Sequence, residues 1–277
     1  MGMSLRELIR LITPPGLILL AKKLRGNLSA EGYDLSGDYG TWDDAMAAST
    51  GYDSEIILEK TRAALMKVKN GEAVYERDSV LFDRIEYAWP LLAGLMWVAA
   101  RCGGTLNVLD FGGSLGSTYF QNQAFLSTLP LIRWNIVEQT RHVETGKRWF
   151  EDNHLHFYAD IADCLGETRP NVVLLSSVLQ YLDRPFTIFE QILRLPCDWV
   201  IIDRTPFWDG STDRLCVQRV PPSIYPASYP SYIFSMPCFF AYLEKSSFQV
   251  MAEFDSLDSL SAPVKAIWKG FILERRD

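Results

Sequence analysis

The sequence has only three histidines and five cysteines, and no two cysteines stand in a C-x-x-C spacing. A cysteine zinc site lacks its closely spaced ligands, and a disulfide framework lacks pairable partners. Cys102, Cys164, Cys197, Cys216 and Cys238 are scattered and odd in number, so a reducing, cytoplasmic setting is expected. His154 and His156 have no third ligand at a recognisable spacing, and with His142 they read as surface or structural residues, so no metal is expected. Basic charge is also short. Lys and Arg number 27 against 34 Asp and Glu, a net charge of −7. A nucleic-acid face needs clustered positive charge, so none is expected. Long hydrophobic runs are missing too. The longest goes only from Ala88 to Ala100 and contains Pro90, too short for a spanning helix of about 17–25 residues.

What remains is an ordinary globular composition, 48% hydrophobic and 22% charged, in 277 residues. One segment stands apart. Residues 1–25 carry Arg6, Arg10, Lys22, Lys23 and Arg25 against a single acid, Glu7, and break at Pro14-Pro15. Two readings are open for it. It is a pair of amphipathic helices in peripheral contact with the inner face of a membrane, or a helix packed on the body or on a second subunit. Residues 26–52 read as an ordered loop with a short helix near 42–48. Helical spacing over 53–70 ends at Asn70-Gly71, and 79–101 predict a more apolar helix bent at Pro90.

After Gly103-Gly104 the pattern changes. Strands are expected at 107–111, 134–137, 156–159, 172–176 and 199–203, with helices near 116–128, 140–151, 161–167 and 185–194. Such alternation predicts an α/β fold, a mostly parallel sheet covered by helices on both faces. Two last strands, 248–254 and 269–275, read as an antiparallel pair at the sheet edge. Six prolines and six aromatic residues interrupt the alternation between 205 and 238, which reads as a folded cap insertion. The expected division is a helical extension over 1–70 and one domain over 71–277.

The strongest local signal is Val108-Leu-Asp-Phe-Gly-Gly-Ser-Leu-Gly-Ser117: a strand, an acid, a glycine-rich turn and a helix start. Glycines let a backbone approach a ligand, and a helix start presents free amides. No lysine follows, so this is not a nucleotide-triphosphate loop. The spacing of Gly112, Gly113 and Gly116 also misses the dinucleotide fingerprint. The stretch resembles the first motif of class I S-adenosylmethionine-dependent methyltransferases. Asp110, Gly112 and Gly116 fall on that pattern, with Gly113 and Ser114 as departures. Glu138 ends the next strand, where a carboxylate can accept hydrogen bonds from ribose hydroxyls. Asp160 ends the third, with Asp163 as a near alternative, and Leu175-Ser-Ser-Val-Leu-Gln-Tyr-Leu182 is similar to the run that meets the cofactor after the fourth.

Together with Tyr75-Glu-Arg-Asp-Ser-Val-Leu-Phe-Asp83, Trp89-Pro-Leu-Leu-Ala-Gly94, Ile202-Asp-Arg-Thr-Pro-Phe207 and Tyr225-Pro-Ala-Ser-Tyr-Pro230, these motifs resemble a family of bacterial methyltransferases. Its genes often lie among those for lipopolysaccharide, O-antigen or other surface polysaccharides. The resemblance runs from about residue 33 onward. It implies a Rossmann-like class I methyltransferase fold, a seven-stranded sheet with its last strand antiparallel. It implies S-adenosylmethionine as cofactor, with S-adenosylhomocysteine as product, held by Asp110, Gly112, Gly113, Ser114, Gly116, Glu138, Gln139, Asp160, Ser176 and Ser177. The implied reaction is methylation of a hydroxyl on a small-molecule or glycan acceptor, a sugar or glycolipid intermediate. Asp203 is the candidate base, or the group that orients it, with Arg204 and Tyr181 beside it. Gln180, Tyr225 and Arg77 are candidate acceptor contacts, and the Glu76-Arg77-Asp78 turn either joins that pocket or caps the following helix. Two other classes stay open: a non-catalytic scaffold or regulator of polysaccharide assembly, and a nicotinamide-dependent oxidoreductase.

Overall fold

A computed structural model describes residues 34–50, 54–222, 224–256, 258 and 261–276. Both readings of residues 1–25 lie outside them. In chain order, β1 (Asp34–Ser36) and α1 (Trp42–Ala47) precede α2 (Ser54–Lys69). A hairpin of β2 (Tyr75–Arg77) and β3 (Val80–Phe82) leads to α3 (Trp89–Arg101). The alternating region is β4 (Thr105–Phe111), α4 (Ser117–Leu126), β5 (Leu131–Val137), α5 (Thr140–Trp149), β6 (Leu155–Tyr158), α6 (Ile161–Glu167), β7 (Val172–Ser176), α7 (Pro185–Leu193) and β8 (Trp199–Trp208). Then come β9 (Arg214–Arg219), β10 (Ser228–Ser235), α8 (Met236–Glu244), β11 (Phe248–Asp255) and β12 (Ile267–Arg275).

The central sheet runs β6-β5-β4-β7-β8-β12-β11. The first five strands are mutually parallel. β12 is antiparallel to both β8 and β11, so within this set it alone is reversed. This is the Rossmann-like methyltransferase order that the motifs imply. It arises from a two-residue period. Val108, Val172, Leu174 and Ile201 enter one core cluster with Leu65 of α2, Leu95 of α3, Tyr119 of α4 and Val143 of α5. Their neighbours Leu109, Val173, Leu175, Val200 and Ile202 enter the other, with Cys164 of α6, Phe189 of α7 and Phe239 of α8. A strand buried on both faces reads as a continuous apolar run, which is why these strands stand out in the sequence.

Three expectations change. The helix expected over 79–101 begins only at Trp89, because Pro90 sits in the first turn, where a missing N–H costs nothing, and residues 75–82 form a hairpin instead. The segment 205–238 is largely strand. β8 continues to Trp208, β10 pairs with its far end in parallel, and β9 and β1 extend the sheet antiparallel. Pro221, Pro222 and Pro226 lie between β9 and β10 and Pro237 in the first turn of α8, where a lost donor is tolerated, while Pro206 and Pro230 stand within β8 and β10. The loop expected over 26–52 contains the edge strand β1.

β4 is flanked by β5 on one side and β7 on the other, so chain direction through the sheet reverses there. Ligands of open α/β sheets bind outside the carboxyl ends of the strands at such a point. The nearby β12–β8 pairing is tight. A Cβ added at Gly270 meets the Phe254 ring at 2.1 Å and the Ile202 carbonyl oxygen at 2.7 Å. Gly270→Ala is therefore expected to destabilise the fold by about 1–3 kcal/mol, from overpacking against backbone. Urea unfolding checks this, and an unchanged midpoint would contradict the tight packing.

Candidate active site

The end of β4 delivers Asp110, which is 1% exposed and accepts a hydrogen bond from Trp134 Nε1 at 2.9 Å. The chain then turns sharply. Gly112 (φ 75°), Ser114 (φ 52°) and Gly116 (φ 99°) all take left-handed conformations. Gly112 N–H donates to the Val137 carbonyl at the end of β5, and Gly116 N–H donates to the Gly113 carbonyl, just ahead of α4. A Cβ at Gly112 would lie 2.4 Å from Val178 Cγ2, and one at Gly113 would lie 2.4 Å from Asp110 Oδ2. The turn is thus sealed beneath by the Asp110 carboxyl and beside by the β7 exit. Glu138 follows β5, half-buried, and accepts from the Gln139 backbone N–H at 2.6 Å. Gln139 is exposed and precedes α5.

After β7, Ser176 and Ser177 are half-buried. Ser177 has φ 54° and donates its backbone N–H to the Asp203 carbonyl. Gln180 is 1% exposed, and its Nε2 donates to Ser177 Oγ and to the Arg204 carbonyl. Tyr181 donates its hydroxyl to Gln218 Oε1 at 2.9 Å and packs edge-on against Tyr229. Burial raises the Tyr181 phenol above its ordinary value.

Asp203 is 2% exposed and accepts from Ser256 Oγ at 2.8 Å, while that serine oxygen accepts from the Arg204 backbone N–H. Burial pushes the Asp203 carboxyl above the usual range. The Arg204 guanidinium turns elsewhere. Its Nε meets Asp258 Oδ2 at 2.6 Å and its Nη2 meets Asp78 Oδ2 at 2.7 Å. Those two carboxylates hold Arg204 well above its ordinary value, and Arg204 in turn lowers Asp258. Asp78 belongs to the β2–β3 hairpin, whose Glu76 is 1% exposed. Glu76 accepts from the Ser79 backbone N–H at 2.7 Å and from Ser117 Oγ, the first residue of α4, at 2.5 Å. The hairpin therefore ties the start of α4 to Arg204 within β8.

Among the described residues, the five non-glycine positions with positive φ are Asp78, Ser79, Ser114, Ser177 and Arg204. All lie in this constellation. Such backbone strain persists where surrounding structure over-determines it, commonly at functional sites.

The structure brings together Asp110, Gly112, Gly113, Ser114, Gly116, Glu138, Ser176, Ser177, Gln180, Tyr181, Asp203 and Arg204. Asp160, two residues past the end of β6, is the N-cap of α6 and accepts from the Asp163 backbone N–H. Arg77 is half-buried at the end of β2, beside Asp78. Tyr225 is a core residue, packed with Ile57, Val220 and Ala227, and Tyr229 of the same cluster stands edge-on to Tyr181. Sequence reasoning missed Ser256 and Asp258. β11 runs parallel to β8, so residues just past its end arrive at the same sheet edge, but only the strand order reveals this. Among the described residues no cluster of three metal-ligating side chains occurs, and no helix is long and apolar enough to cross a membrane.

No protein-family model matches the chain, and no curated protein matches it. Among solved structures, the N-terminal domain of EvdMO1, crystallised with S-adenosylhomocysteine and D-fucose, is 15% identical, covering 82% of this chain and 98% of its own, with a TM-score of 0.48. The Burkholderia thailandensis 1,6-didemethyltoxoflavin-N1-methyltransferase is 16% identical, covering 82% and 92%, with a TM-score of 0.43. The magnesium protoporphyrin IX methyltransferase of Synechocystis with bound S-adenosylmethionine is 13% identical, covering 82% and 99%, with a TM-score of 0.44.

Burial raises Asp110 and Glu76 to about 7 each. Both folded values exceed the ordinary carboxyl range, so each acid is more readily protonated in the folded chain. Their contribution to stability is full below about pH 4 and is lost as pH rises toward 7. Asp110→Asn is expected to flatten this slope, by up to about 1.4 kcal/mol per pH unit, since one proton is removed from the linkage. Urea midpoints measured from pH 5 to pH 8 check it, and an unchanged slope would contradict the assigned burial effect.

Proposed function

We propose that this protein transfers a methyl group from S-adenosylmethionine to a hydroxyl of a small-molecule acceptor, a sugar or glycolipid intermediate. The observation that carries the reading is the strained, sealed turn between Asp110 and Glu138 at the reversal point of the sheet. Its fit to the cofactor rests on Gly112 and Gly113, which let the turn pack directly onto Val178 and the Asp110 carboxyl and leave backbone as the turn's own surface. The Glu138 carboxylate, now engaged by one backbone N–H, has acceptor capacity left for ribose hydroxyls. Asp160 stands at the next strand end, and Ser176 and Ser177 border the turn from β7.

S-adenosylmethionine, when bound, supplies a methyl on a positively charged sulfur, and the transfer is an in-line displacement. The protein's task is alignment, because proximity and orientation dominate such a step. Asp203 is the proposed proton acceptor for the acceptor hydroxyl. Its burial raises its basicity, and Ser256 fixes its orientation. Arg204 acts as a positioning residue, since its guanidinium is taken by Asp78 and Asp258. Gln180 and Tyr181 are the proposed acceptor-side neighbours of Asp203 and Arg204, through the Gln180 bond to the Arg204 carbonyl. The glycine spacing argues against a nicotinamide cofactor.

Calorimetric titration of the full chain with S-adenosylhomocysteine is expected to show binding, weakened in Glu138→Ala by about 1.5–3 kcal/mol for lost hydrogen bonds to a charged group. Absence of binding near millimolar ligand would overturn the reading, and an unchanged affinity of the variant would remove Glu138 from it. Asp203→Asn is expected to abolish most turnover while leaving the S-adenosylhomocysteine affinity within about threefold, because it removes a base without touching the turn.

A further inference from the structure

Three carboxyl groups ring the glycine-rich turn from three separate elements. Asp110 lies directly beneath Gly113, Glu76 reaches in from the β2–β3 hairpin to Ser117, and Glu138 ends β5. Among the described residues, none of the three forms an ion pair with a lysine or arginine. The groups that face them are mostly neutral or acidic. Trp134 and Glu138 face Asp110 from β5. Ser117 of α4, Ser79, Tyr75 and Asp78 face Glu76, and Thr61 of α2 reaches the same turn through Ser79. The positive group that acts on Glu76 is Arg204, which is already bound by Asp78 and Asp258. Two buried acids without a cation are costly when ionised, so the free site favours their protonated forms.

Resting on the reading above, we propose that binding of the positively charged cofactor drives ionisation of Glu76 and Asp110 with release of protons, so that the site separates S-adenosylmethionine from S-adenosylhomocysteine by charge. The two ligands differ by the methyl and by the positive charge on sulfur. A cation held against the turn stabilises the ionised forms of the carboxyls packed around it, and the proton that leaves Glu76 or Asp110 goes to solvent buffer. Once the methyl has been transferred, the sulfur is neutral and the attraction weakens. Reprotonation of the acids then favours departure of the product over retention. Both groups are poised near neutrality, so the coupling is expressed at ordinary pH. Glu76 is thus a specificity-determining residue for the charge of the ligand, in addition to pinning the hairpin to α4.

The test is calorimetry on the full chain with S-adenosylmethionine and with S-adenosylhomocysteine, in two buffers of different ionisation enthalpy at neutral pH. The proposal expects more protons released with S-adenosylmethionine than with S-adenosylhomocysteine. It also expects the preference for S-adenosylmethionine to widen with pH between 6 and 8, by up to about tenfold per pH unit for each extra proton. Glu76→Gln keeps the shape and can still bond both Ser79 and Ser117, so it is expected to reduce the proton release specifically for S-adenosylmethionine. Equal proton release for both ligands, with both bound, would overturn the proposal and leave the methyltransferase reading standing. Failure of both ligands to bind would overturn that reading and the proposal with it. The comparison of ligands on the unmodified chain decides the matter even where the variant folds poorly.

Discussion

The Asp110 carboxyl occupies the space in which a side chain at position 113 would stand. That single exclusion governs the site. It forces glycine at 113, holds the turn against the end of β5, and leaves the backbone as the surface that meets a ligand. The carboxyl is itself held by Trp134, a fully buried residue of the neighbouring strand, so the turn is fixed by core packing rather than by loop contacts. A hydrogen bond to a buried carboxyl is worth roughly 1.5–3 kcal/mol when it is charged. The same burial shifts its titration toward neutrality, and structural and chemical roles thereby fall on one group.

A second constraint joins the two halves of the site. The β2–β3 hairpin is not part of the sheet, yet it grips both of its working ends. Glu76 holds the start of α4, and Asp78 holds Arg204 within β8. Arg204 also takes Asp258, so a residue beyond β11 closes the same clamp. The ion pairs are half-buried, where leaving one partner alone is more damaging than the pair is stabilising. This arrangement explains why the backbone strain at Asp78, Ser79 and Arg204 is tolerated: each is over-determined by partners on another element.

The parallel strands are legible in the sequence because burial on both faces writes them as apolar runs, and the glycine-rich turn is legible because left-handed conformations select glycine. Their order is implied by alternation with helices. Segment 205–238 is harder to read. Prolines and aromatics there serve outer strands that pair with the far end of β8, and neither residue type announces a partner. Tyr225 shows the same limit in one residue, since its burial against Ile57, Val220 and Ala227 is set by long-range packing. Asp203 and Arg204 read in the sequence as a strand-end pair, whereas β8 continues to Trp208 and their bonds to Ser256, Asp78 and Asp258 depend on long-range topology. Pro90 misleads in the opposite sense: its position in a first turn is visible only once the hairpin before it is recognised.

The proposed reading places S-adenosylmethionine-type ligands at the turn after β4, where these constraints meet. Hydrogen-exchange mass spectrometry with and without S-adenosylhomocysteine reads that turn in the intact chain. Added protection is expected in peptides covering 110–117, 138–140 and 176–181, which meet at one edge of the sheet. Binding accompanied by protection only elsewhere in the chain would place the ligand site away from the turn and refute the assignment.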